Sequence, residues 1–146
     1  MVSQATRLCA FHPATPQKKF KTRVVKANDA VDLAVLQLEV SPPEVSLSRF
    51  AGQSELHDHA LVSGFPNYQL GDLGVFSPGV IIGIRKRSGI RRLLTNAPIV
   101  RGMSGGPVVG SENKVIGVCV TGADRLASAD DTEDKSIIPI DAIDLL

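Results

Sequence analysis

The stretch Gly102-Met103-Ser104-Gly105-Gly106-Pro107 decides the reading of this chain. It lies between two apolar, strand-like runs, Leu93–Leu94 and Val115–Val120. Glycines on both sides of a serine present its hydroxyl beside open backbone N–H groups, the arrangement a nucleophile needs. The plain alternative is a Gly-rich turn holding a structural serine, since such turns are common.

Outward from that loop, short β-like runs recur between turn residues. Leu8–Phe11 and Phe20–Val25 flank a turn containing Pro and Lys, and Leu33–Leu38 follows Asp32. Ser41-Pro42-Pro43-Glu44 then breaks the pattern, because a proline pair cannot continue a strand ladder. Residues 44–59 are polar and show no clear period. Six more runs follow: Ala60–Ser63, Val75–Ile84 with Pro78-Gly79 inside it, Arg91–Thr95, Pro107–Val109, Val115–Val120 and Ser136–Ile140. Asp141–Leu146 reads as a closing helical turn or two, with Asp141 near its N-terminus. No long run carries a helical period, and strands do not alternate with helices. An all-β barrel or sandwich is therefore expected, not a parallel α/β sheet.

Composition agrees. The 146 residues are 43% hydrophobic and 21% charged, an ordinary globular balance. Thirteen Gly and nine Pro against 4% aromatics suit many turns and short strands. A net charge of +1 gives no general pull toward nucleic acid or an anionic membrane. Basic residues fill the N-terminal part up to Lys26 and acids dominate from Asp124 onward, a pattern read here as solvated loops and edges. Cys9 and Cys119 lie too far apart in sequence to suggest a disulfide framework or a metal cluster, and Cys119 sits in an apolar run. No metal or cofactor motif is present. No apolar run has the length of a membrane span. Met1–Thr6 lacks the basic start and apolar stretch of a signal peptide. The expected location is cytoplasmic if Met1 is the true start, and secreted or periplasmic if a segment precedes it.

Gly102-x-Ser104-x-Gly106 also fits the nucleophile elbow of α/β-hydrolases. That site needs a strand–turn–helix context and a histidine after the serine. The last histidine here is His59 and no helix follows Gly106, so the elbow is rejected. The other order is His, Asp, Ser. The full pattern resembles the trypsin-like serine protease superfamily of chymotrypsin fold, most closely its compact bacterial Deg/Htr-type members. Asp32-Leu33-Ala34-Val35-Leu36-Gln37-Leu38 is similar to the strand that opens with the triad aspartate. Gly64-Phe65-Pro66, followed by Pro78-Gly79-Val80-Ile81, is similar to the family's glycine-proline turn and next strand. Thr95–Ile99 through Pro107, then Val115–Val118, resembles the nucleophile loop and the strand behind it. Ile137–Ile140 resembles the last strand before the C-terminal helix.

The resemblance implies a two-lobed fold of two six-stranded barrels. Ser104 would be the nucleophile of a serine endopeptidase, and the N–H groups of Gly102 and Ser104 its oxyanion hole. Asp32 would hold a histidine in the right tautomer. Met103 departs from relatives that carry a polar residue there. An Asp in that place pairs with a new N-terminus in cleavage-activated trypsins, so Met103 argues against activation by cleavage. The side-chain pocket would be formed by Pro98, Arg101, Val120, Thr121 and Gly122. Pro98 stands where trypsins place an acidic pocket base, so a small or medium aliphatic residue is expected before the scissile bond.

The general base is the weak point. Family order requires a histidine before Asp32, which leaves His12 as the candidate. Pro13 follows it at once, and Leu8–His12 reads equally as the strand after a missing base, with His12 at a hairpin end. His57 and His59 fall in the polar stretch and read as solvated. Strand counting agrees with a missing base: six runs follow the prolines, but only three precede them. Residues 1–43 are accordingly read as a partial first barrel, 44–59 as the connection, and 60–146 as a second barrel bearing the nucleophile loop. The chain as given is expected to be truncated and weakly active or inactive. The expected partner is a polypeptide substrate, with no nucleic acid and no membrane. A non-catalytic module that binds extended peptides by strand addition is the alternative. A basic nucleic-acid site at Arg85, Lys86, Arg87, Arg91 and Arg92 is disfavoured, since the stretch has no aromatic for stacking.

Overall fold

Alternation of buried and exposed residues is what turns the second half of the chain into a barrel. In the computed structural model, which describes residues 7–40, 52–87, 89–120 and 135–146, nine strands form. They are β1 (Leu8–Phe11), β2 (Lys19–Asn28), β3 (Leu33–Leu38), β4 (His59–Gly64), β5 (Val75–Arg87), β6 (Ile90–Thr95), β7 (Pro107–Val109), β8 (Val115–Val120) and β9 (Ser136–Pro139). A 3₁₀ helix, Ile140–Leu145, closes the chain with Asp141 in its first turn. The all-β expectation holds. The closing turn is 3₁₀ rather than α, as short terminal turns often are.

Strands β4 to β9 close into a barrel in the order β4-β5-β6-β9-β8-β7, with β7 pairing back onto β4. All neighbours are antiparallel. In β4, Ala60, Val62 and Gly64 face inward while His59 and Leu61 face out. Ile81 and Leu93 meet Val108, Ile116, Cys119 and Ile137 in one buried cluster. Each such aliphatic side chain contributes about 1.5–3 kcal/mol on burial. Register shifts at Ile81/Gly83 and Val108/Val109 supply the local bends a closed barrel needs. Pro78 is tolerated inside β5 because pairing with β6 begins only at Ile81, leaving that edge open at the proline.

Strands β1 to β3 form a separate three-stranded antiparallel sheet, β1-β2-β3, with β2 in the middle. It is an incomplete barrel, as the sequence pattern predicts. Strand β2 runs three residues beyond the expected Phe20–Val25, through a bulge at Val24/Lys26 to Asn28, because Leu33–Val35 pair with its polar end. An open sheet leaves apolar surface uncovered. Phe11, Val25, Leu36 and Val40 are all exposed.

By its contacts the chain divides into two units. One holds β1–β3 with residues 69–73 and 142–146; the other holds residues 52–68 and 74–141 as far as they are described, with all of β4–β9. The described part of the polar stretch 44–59 is tied to the barrel: the His57 N–H donates to the Ile81 carbonyl, and the Ile81 N–H to that of Asp58. The Arg91 guanidinium donates to the Ser54 carbonyl. Pro42-Pro43 lies outside the described residues.

Cys119 tests the closed barrel directly. Burial disfavours its thiolate and pushes the thiol up to about 11. The unfolded chain therefore loses this proton first as pH rises, so stability falls between about pH 9 and pH 11. Denaturant midpoints should show this loss relative to Cys119→Ala, whose curve lacks it. Iodoacetamide at pH 8 should alkylate exposed Cys9 in the native protein, and Cys119 only after unfolding.

Candidate active site

The loop from Val100 to Gly106 is built from two left-handed glycines around a buried methionine. The Met103 N–H donates to the Val100 carbonyl at 3.1 Å, closing a four-residue turn. Gly102, third in that turn, has φ +94. That combination marks a type II turn, which wants glycine at this place. The sign of φ sets which way the Arg101–Gly102 peptide faces, and hence the direction of the Gly102 N–H. Arg101 and Gly102 are exposed, Met103 is 1% exposed, and Ser104 is exposed again.

This in-and-out course is held from both sides. Toward β4, a Cβ on Gly106 would fall 1.9 Å from the Ser63 carbonyl oxygen, and one on Gly64 would fall 2.8 Å from the Met103 Cα. The two backbones lie directly against each other, which only glycine allows. The Ser63 hydroxyl adds a hydrogen bond to the Pro107 carbonyl at 3.1 Å. Toward β8, the Gly105 N–H donates to the Cys119 carbonyl at 2.8 Å, and the Cys119 N–H to that of Gly106 at 2.9 Å. Gly105 needs φ +87 to make this link. A Cβ on Gly102 would come 2.9 Å from the Asn67 nitrogen and 3.0 Å from the Phe65 oxygen, so the β4–β5 loop backs the turn as well.

Beside Ser104 opens a cleft of about 430 Å³ whose lining includes Phe65 and Phe76. Neither aromatic was singled out as a site residue by sequence reasoning. Their signal was there: Phe65 follows Gly64 directly, and both belong to a chain with only five Phe. Phe65 is 38% exposed and Phe76 65% exposed. The Tyr68 ring meets Phe65 edge-to-face with centroids 5.7 Å apart, an orientation that fixes the Phe65 ring.

Among the expected pocket residues, Pro98 is exposed between buried Ala97 and Ile99, and Val120 is half-buried at the end of β8. Thr121 and Gly122 lie outside the described residues. Asp32 stands just before β3, exposed, with φ +62. Its N–H donates to the Asn28 carbonyl at 2.9 Å, and the Asn28 side chain accepts from the Ala30 N–H at 3.0 Å. An aspartate tolerates this left-handed conformation better than most residues.

His12 ends the β1–β2 hairpin. Its Nδ1 accepts from the Ala14 N–H at 3.1 Å. Phe11 pairs with Lys19 at one end of β2, and Leu33 with Asn28 at the other. At about 3.3 Å per residue, His12 and Asp32 are roughly 25–30 Å apart along β2. The structure does not bring these two together. His59 opens β4 while Gly64, packed on the nucleophile loop, ends it, a separation of roughly 15 Å. His59 and neighbouring Asp58 instead line a smaller polar cleft with Glu112 and Lys114. His57 is exposed in the turn before them. Among the described residues no group of His, Cys, Asp and Glu side chains is placed to hold a metal ion.

The sequence matches the family model for the trypsin-like peptidase domain over residues 2–118. No curated protein matches the chain. Among solved structures, the active form of the Rv3671c protease from M. tuberculosis superposes with a TM-score of 0.70 at 23% identity, over 87% of this chain and 57% of that one. Deg5 gives 0.67 at 23%, over 88% and 59%. The MamO protease domain from Magnetospirillum magneticum gives 0.65 at 14%, over 88% and 68%. At these identities the likeness is one of fold. The chain spans little more than half the length of the first of these relatives.

Two substitutions test the loop. Met103→Ala should cost about 2–5 kcal/mol in urea unfolding, and volume-conserving Met103→Leu less than about 1.5 kcal/mol. Gly102→Ala should cost at least about 1–2 kcal/mol from the left-handed backbone alone, before its contacts with Asn67 and Phe65 are counted.

Proposed function

This chain belongs to the trypsin-like peptidase domain family, and from that membership we propose that it is a serine endopeptidase domain acting through Ser104. The observation that carries the reading is the exposed serine on a loop whose neighbour Met103 is buried and whose Gly102 has φ +94. The Ser104 Oγ attacks the substrate carbonyl. A base takes the hydroxyl proton, the Oγ–C bond forms, and the carbonyl oxygen becomes an oxyanion. The N–H groups of Gly102 and Ser104 are its donors, worth about 3–4 kcal/mol for one donor in related chemistry. The C–N bond then breaks as the base returns its proton to the leaving nitrogen. Water releases the acyl group by the same steps in reverse order.

Asp32 has the role of orienting the base. None of the three histidines in the chain suits that base. His12 lies far from Asp32 along β2, and its Nδ1 accepts from the Ala14 N–H instead of facing that carboxylate. His59 sits at the far end of β4 from the loop, with His57 two residues before it. On this reading none of the three activates the serine, and the 146 residues alone are weakly active. The preferred residue before the scissile bond is a small or medium aliphatic one, held by Pro98, Arg101, Val120, Thr121 and Gly122. The substrate is a polypeptide.

A fluorophosphonate probe tests the proposal, because it reacts with an activated serine. The 146-residue chain should label weakly. Joining a histidine-bearing strand upstream should raise the rate by at least about 10³-fold, the scale of loss when a triad member is removed, and Ser104→Ala should abolish it. Full-rate labelling of the chain alone, removed by His12→Ala, would make His12 the base. No labelling in either form would favour a non-catalytic peptide-binding module.

A further inference from the structure

The cleft beside Ser104 has two different sides. In the barrel order, β7 lies between β4 and β8, and the nucleophile loop leads straight into β7. The pocket that the family resemblance implies for the residue before the scissile bond includes Val120, at the end of β8. The cleft of about 430 Å³ lies on the other flank, against β4 and the start of β5. A peptide crossing Ser104 from the β8 side must run into it.

Its lining there is apolar and roomy for a reason that can be read residue by residue. Phe65 and Phe76 provide the wall, and Tyr68 steadies Phe65 from behind. Gly64 and Gly74 leave the floor without side chains. Gly64 has no choice, since a Cβ would strike Met103. Gly74 is different: a Cβ there meets the Phe65 ring at an ordinary 3.6 Å, and its φ lies outside the left-handed region. Nothing in the backbone demands glycine at 74. What its absence of a side chain does is keep the cleft open.

We infer that Phe65 and Phe76 form a subsite for an apolar side chain just after the scissile bond, kept open by Gly74. This rests on the reading of Ser104 as a peptidase nucleophile. The occupant is a branched aliphatic or aromatic residue of the substrate, because Phe65, Phe76 and the bare glycine floor offer it contact area without a charged partner. An acidic or basic side chain in the same place would lose water with nothing to replace it.

The test reads binding and chemistry separately. Peptides Ala-Ala-Val-X-Ala-Ala, differing only at X, are titrated into the ¹⁵N-labelled 146-residue chain. With X as Leu or Phe, the amides of Gly64, Gly74 and Gly102 should shift, with affinity about 10-fold or more above X as Asp or Lys. Gly74→Leu, which fills the cleft, should reduce that ratio to within about twofold. Phe76→Ser, at an exposed position that the fold does not need, should lower it too. Equal affinity for all peptides, no shift with any of them, or an unchanged ratio in Gly74→Leu would overturn the subsite. Fluorophosphonate labelling of the histidine-supplied form separates the two readings. Discrimination without labelling keeps the subsite and removes the peptidase; labelling without discrimination does the reverse.

Discussion

The closest packing at the candidate site is backbone against backbone, where the nucleophile loop crosses β4. Gly106 lies on the Ser63 carbonyl and Met103 on Gly64, with no room for a Cβ at either glycine. That contact sends Met103 into the core and leaves Ser104 facing out one residue later. Two hydrogen bonds with Cys119, one donated by the Gly105 N–H to its carbonyl and one accepted by the Gly106 carbonyl from its N–H, then fix the loop to β8. A loop held this way keeps its backbone fixed, which is the condition the proposed oxyanion stabilisation requires.

The candidate site residues are divided between two differently finished parts of the molecule. Ser104 and its loop sit on a closed barrel whose strands all have two neighbours. Asp32 sits on an open three-stranded sheet with β1 and β3 as edges. An open sheet leaves backbone groups unpaired and apolar side chains in water, and Phe11, Val25, Leu36 and Val40 show that cost here. The structurally complete part carries Ser104, and the incomplete part carries Asp32.

Much of the fold was legible because the signals are local. Short apolar runs such as Ala60–Ser63 and Val115–Val120, with glycine or proline between them, place the strands of the barrel to within a few residues of those observed. The polar end of β2 was not legible, because Lys26–Asn28 owe their strand conformation to pairing with Leu33–Val35, not to their own pattern. The serine loop announced itself through its glycines. The left-handed backbone of Asp32 did not, since aspartate takes that conformation in some turns and not in others. Phe65 and Phe76 were visible only as residues of two separate runs. Their convergence on one cleft depends on how the β4–β5 loop turns back past Gly102, a tertiary event with no sequence period. Met103 could be read as a departure from relatives, but its burial as the anchor of the loop needed the packing.

The most direct measurement of the central claim is the structure of a peptide boronate bound to the histidine-supplied protein. The account predicts a covalent bond from boron to the Ser104 Oγ, with one boronate oxygen about 2.7–3.1 Å from the N–H groups of both Gly102 and Ser104, and Gly102 still in its left-handed conformation. A boronate attached elsewhere, or an oxygen turned away from those two N–H groups, would contradict it.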